Sequence, residues 1–103
     1  LTNIETGGLR LMSVVIVGGN ECMYRRYSEL CREYSCKAKI YPKMCNGLKN
    51  LGSPDLMILF TDTVSHKMVQ CALNGIPNST KVARCRSGSV SALKGVLEQH
   101  AIG

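Results

Sequence analysis

The chain predicts a small three-layer α/β domain on a four-stranded parallel sheet in the order 2-1-3-4. Three observations carry that expectation. The runs SVVIV at 13–17 and LMILF at 56–60 are apolar almost throughout, as in strands buried on both faces. KAKIY at 37–41 and KVARCR at 81–86 instead interleave Lys or Arg with apolar residues, as edge strands do. Between successive strands the apolar period changes from that of a strand to that of a helix, which argues for a parallel sheet with helices on its faces. Apolar strands in the centre and basic strands at the margins give 2-1-3-4 with right-handed crossovers, the flavodoxin-like sense without a fifth strand.

Residues 1–11 show no clear periodicity and are read as an N-terminal extension that need not be native. Met12 is the expected natural start. Gly7-Gly8 is what a ribosome-binding sequence encodes when translated. Residues 12–103 form the single expected domain. After SVVIV, Gly18-Gly19 makes a tight turn, Asn20 suits a helix N-cap and Glu21 its first turn. Met23, Tyr27, Leu30, Cys31 and Tyr34 then form one stripe of a helix over 21–35. Pro42 opens a short helix carrying Met44, Leu48 and Leu51 and closed by Gly52, and Ser53-Pro54 turns into the third strand. The helix predicted over 64–74 places Val64, Met68, Cys71 and Ala72 toward the core. Val69 and Leu73 fall with His66 on the other side, and that surplus apolar face predicts a homodimer or larger symmetric assembly. Gly75 to Ser79 form a loop. The last helix, 89–100, carries Val90, Leu93 and Leu97 inward.

The formal charge of +6 favours an anionic partner over a cationic one. The basic residues are scattered, and four Tyr, one Phe and no Trp leave few rings to stack on bases, so nucleic acid is not expected. No apolar stretch has the roughly 18–20 residues of a membrane span. No charged segment leads into an apolar one and a cleavage site, and the expectation is a soluble, cytoplasmic protein. The six cysteines have irregular spacing and no C-x-x-C, so they are read as reduced thiols; only their number suggests a thiol redox enzyme.

In a sheet of this order, ligands bind outside the carboxyl ends of the first and third strands, where the chain reverses direction. Gly18-Gly19-Asn20 and Thr61 to His66 are the loops there. Each following helix begins with free backbone N–H groups and a partial positive charge. Gly18-Gly19 is not a dinucleotide fingerprint: a third glycine is missing, and Tyr41-Pro42 stands where an acidic residue would end the second strand. CRSGSVS at 85–91 also joins a strand to a helix. Ser87, Ser89, Ser91, Gly88 and Arg86 there suit either an anion cradle or a serine-capped helix start. A Cys-x5-Arg phosphatase loop needs arginine at 91, where Ser91 stands, and Cys85 lacks a neighbouring base for nucleophilic work. Asp62 and His66 suit a carboxylate–imidazole pair, or Asp62 satisfies backbone donors of its own loop. His66 is open to a binding role, an interface role or an incidental surface one. His100 favours the end of its helix dipole and is assigned no function.

At MSVVIVGGN, PDLMILFTDTVSHKMV and RCRSGSVSAL the chain resembles the bacterial family called domain of unknown function 2325, over residues 12 to 100. D-x-V-S-H is its most specific segment. The resemblance implies a small Rossmann-like or flavodoxin-like domain and places Gly18, Gly19, Asp62, Ser65, His66, Arg86, Ser87 and Ser89 on the family pattern. Relatives often carry histidine or arginine after the glycine pair, where this chain has Asn20.

The leading expectation is a non-catalytic binding or regulatory module that holds an anionic small molecule at the C-terminal edge of the sheet. Gly18, Gly19, Asn20, Ser65, Lys67, Arg86, Ser87 and Ser89 supply donors, and His66 and Asp62 fix orientation. The alternative is a sensor that binds a metal or haem through His66.

Overall fold

The computed structural model describes residues 12–43, 48 and 51–100. Four strands form one parallel sheet: β1 (Met12–Val17), β2 (Cys36–Tyr41), β3 (Leu56–Phe60) and β4 (Lys81–Cys85), in the order β2-β1-β3-β4. Three α-helices lie among the described residues: α1 (Tyr24–Glu33), α2 (His66–Asn74) and α3 (Val90–His100). Both the fold class and the strand order agree with the sequence expectation.

The central strands are apolar throughout because both of their faces are covered. Val14 and Ile16 of β1 stand opposite Leu56 and Ile58 of β3, and these pack with Phe60 against Tyr27, Leu30 and Cys31 of α1 and Leu93, Val96 and Leu97 of α3. The alternate residues Val15, Val17, Met57 and Leu59 face the other way, against Met68 and Ala72 of α2 and against Leu48. Every residue of β3 is fully buried, and each such large side chain contributes about 1.5–3 kcal/mol relative to exposure. At the margins only one face is covered. On β2, Ala38 and Ile40 pack inward while Lys37 and Lys39 are exposed. The other end of the sheet is pinned by Asp55, whose carboxylate accepts the Ser13 N–H at 2.8 Å.

Helix boundaries differ from the sequence reading at two starts. The first helix opens with a 3-10 turn, Glu21–Met23, capped by Asn20, whose Oδ1 accepts the Cys22 N–H at 2.9 Å. The second begins at His66 rather than Val64, because Thr61–Thr63 makes its own 3-10 turn and Val64 is extended. The helix expected after Pro42 falls largely outside the described residues. Leu48 is fully buried there, and Gly52 has φ +74.

The surplus apolar face of α2 is not found. Val69 and Leu73 are half-buried and pack on the core cluster beneath α2. These residues serve the fold and do not by themselves argue for an assembly. Among the described residues no helix is long and apolar enough to cross a membrane. The N-terminal extension, residues 1–11, lies outside the described residues.

Candidate functional site

The carboxyl ends of β1, β3 and β4 bring three loops together. Gly18 and Gly19 both have φ +91, a conformation that strains any residue with a Cβ. The loop is also tightly confined. A Cβ on Gly18 would lie 2.5 Å from Val64 Cγ1 and 2.6 Å from Thr63 Oγ1, and one on Gly19 would lie 2.9 Å from the Tyr27 ring. Gly88, just before α3, sits against the same loop: its Cβ would fall 2.8 Å from Gly19 Cα. The glycines are therefore required by close backbone approach among the three loops.

Hydrogen bonds join these loops. The Gly18 N–H donates to Tyr41 O at 2.8 Å, extending the β1–β2 ladder by one step. The Gly19 N–H donates to Thr63 Oγ1 at 2.7 Å, and the Thr63 hydroxyl donates to Phe60 O at 2.9 Å. The Asn20 N–H donates to the Tyr27 hydroxyl at 3.2 Å, and that hydroxyl in turn donates to the Gly88 carbonyl. Asp62 N–H to Arg86 O, 2.9 Å, and Thr61 hydroxyl to Cys85 O, 3.2 Å, tie the loop before α2 to the loop before α3. This network already uses the backbone N–H groups of Gly18, Gly19 and Asn20, the groups expected to serve a ligand. All three N–H groups are engaged within the protein, and the Asn20 side chain caps its own turn.

In the sequence Tyr27 is only one member of a core stripe. In the fold it is fully buried, with its ring 5.7 Å from that of Phe60, and its hydroxyl bonds two loops together. The available signal is a phenol at the centre of a buried stripe, since a buried tyrosine hydroxyl requires partners. Sequence reasoning misses Thr63 as well, although a short hydroxyl side chain in a turn commonly bonds nearby backbone.

The remaining candidates line the outer side of the same edge. Ser65 is the N-cap of α2, accepting the Met68 N–H at 3.1 Å. Ser89 caps α3 in the same way, accepting the Ala92 N–H at 3.1 Å. His66 is the first residue of α2 and Lys67 the second. His66, Lys67, Asp62, Arg86 and Ser87 are all exposed. The first N–H groups of α2 and α3 have no intrahelical partner by helix geometry, so the two helix starts present donors and cations on one edge. Glu21 and Lys43 form an exposed ion pair nearby at 3.0 Å, an arrangement worth under about 1 kcal/mol.

The carboxylate–imidazole pair weighed for Asp62 and His66 does not form. Among the described residues no hydrogen bond or ion pair joins Asp62 to His66. Nor do three His, Cys, Asp or Glu side chains among them come together where they could hold a metal ion, so His66 stands alone as a ligand within the described part of one chain. Cys22, Cys31, Cys36, Cys71 and Cys85 are free thiols. Burial, with Cys36 beside it, pushes the Cys31 thiol up to about 12. Burial raises Cys36 as well, with a smaller contribution from Asp55, and burial alone raises Cys85. A nucleophilic thiol requires the opposite shift, so these three cysteines suit the core and not redox catalysis.

This fold and its edge define a small α/β domain of flavodoxin-like strand order, with its candidate site at the carboxyl edge of the sheet. The chain belongs to the family described as "Uncharacterized protein conserved in bacteria (DUF2325)", whose model matches residues 13–100. No curated protein and no solved structure matches it.

Proposed function

We propose that the protein is a small, cytoplasmic, non-catalytic binding or regulatory module that holds an anionic small molecule at the outer side of the α2 and α3 N-termini. One observation carries this reading. The Asp62–Arg86 backbone bond ties the loop before α2 to the loop before α3 at the carboxyl edge of the sheet, with Lys67, Arg86 and Ser87 exposed there. The helix starts and the cations share that edge, where each alone contributes little. Ser65, Ser89 and the glycine loop hold the geometry; His66 adds a donor at the first turn.

Equilibrium dialysis of the full chain against inorganic phosphate, nucleoside phosphates and di- and tricarboxylates tests the proposal. The expected result is saturable binding of at least one anion that weakens as salt rises. A folded protein that retains none of them would overturn it.

A further inference from the structure

Among the described residues no strand pairs with the outer edge of β4, and the chemistry of that edge points to an occupant. Lys81 directs its N–H inward to Asp55 O at 3.2 Å. By the alternation of a strand, Lys81, Ala83 and Cys85 bond toward β3, and Val82 and Arg84 direct their N–H and C=O groups away from the sheet. Val82 is 38% exposed, the one large apolar side chain so placed among the described residues. Its register opposite Met57 puts it on the sheet face of α2, whose buried residues pack on Met57 and Leu59 of the neighbouring strand. Cations surround this apolar centre: Lys81, Arg84 and Arg86 are exposed, and no Asp or Glu occurs anywhere from 81 to 97.

Edge cations alone are a common defence against unwanted strand pairing. Here the edge also exposes an apolar side chain, Val82, between Lys81 and Arg84. We propose that β4 accepts an extended acidic peptide segment of another protein by strand addition, occupying the position of a fifth strand. Its backbone would pair with Val82 and Arg84, an apolar side chain would cover Val82, and carboxylates would face Arg84 and its basic neighbours. A second copy of β4 fits less well, because antiparallel self-pairing about Ala83 gathers both sets of cations on one seam. Single-stranded nucleic acid would meet the charge but would find no exposed ring at Val82 on which to stack.

The test uses the full chain and a fluorescein-labelled, end-blocked hexapeptide of alternating valine and glutamate, followed by anisotropy and by amide chemical shifts. The expected result is binding that shifts the 81–85 amides and slows hydrogen exchange at Val82 and Arg84. Val82→Pro removes an outward N–H that the fold does not use, and should weaken binding at least tenfold with the circular dichroism unchanged. Arg84→Glu should reverse the preference toward a valine–lysine hexapeptide, which keeps the proposal testable if the proline variant fails to fold. Unshifted β4 amides at millimolar peptide would overturn it, as would affinity unchanged by Val82→Pro. So would a wild-type dimer dissociated by Val82→Pro, or a hexathymidylate that binds as tightly regardless of either substitution.

Discussion

The glycine loop and the two helix starts share one edge of the sheet and use their polar groups in opposite ways. In the loop, the N–H groups of Gly18, Gly19 and Asn20 are all bonded to the protein, to Tyr41, Thr63 and Tyr27. At the helix starts, Lys67, Arg86 and Ser87 are exposed, and the first helical N–H groups face solvent by geometry. Two motifs that look alike in sequence, Gly18-Gly19-Asn20 and Arg86-Ser87-Gly88-Ser89, therefore differ in kind. The first is part of the scaffold. The second, with Lys67, keeps its charged side chains exposed.

That contrast breaks most sharply at Gly18. Gly18→Val combines φ +91 with Cβ contacts of 2.5 and 2.6 Å to Val64 and Thr63, and it should cost about 3 kcal/mol or more. Urea unfolding measures the loss; a change under about 1 kcal/mol would mean that the loop is not confined as described. Tyr27→Phe keeps the ring against Phe60 and removes only the hydroxyl. It leaves the Asn20 N–H and the Gly88 carbonyl without their partner, and the expected loss is about 2 kcal/mol. Faster amide exchange at Asn20 should accompany it.

Cys31, one turn after Tyr27 on α1, supplies a pH probe of the same buried scaffold. Its thiol is raised from the ordinary 9.0 to about 12. The unfolded chain therefore ionises first, so the stabilisation is complete below pH 9 and declines as pH rises toward 12. At pH 10 the loss should be about 1.4 kcal/mol relative to pH 8. Cys31→Ala should reduce that alkaline slope, to which Cys36 and Cys85 contribute in the same direction, and an unchanged slope would assign it to other groups.

The smallest effect on stability belongs at the helix starts. Arg86→Ala and Lys67→Ala should each change unfolding free energy by less than about 0.5 kcal/mol. Each should also weaken binding of whichever anion dialysis identifies by about tenfold. Equal anion affinity in the variants would separate the edge from binding, and a large loss of stability would erase the contrast between the two regions.

Much of this is legible in the residues themselves. Strand burial is written in composition, because VVIV and LMILF are tolerated only where both faces are covered, and KAKIY only where one is. The cap at Asn20 is legible, and Ser89 is among the serines that suit a capped helix start, because a short polar side chain before an apolar-periodic run has a nearby N–H to accept; Ser65 reads as inside its helix, and only the structure makes it the cap. The use of the glycine loop is not legible. Its partners Thr63 and Gly88 are 44 and 61 residues away from Gly19 and Tyr27, and only the closed sheet brings them together. The face of α2 is decided in the same way. Helical periodicity orders Val69 and Leu73 relative to Met68, but the width of the sheet beneath the helix determines how many of those stripes are covered. The elements and their order follow from the residues alone, because they depend on period and on neighbours a few positions apart. Which polar groups remain open to a ligand follows only from the folded chain, because a hydrogen bond between distant residues exists only once the chain has closed around it.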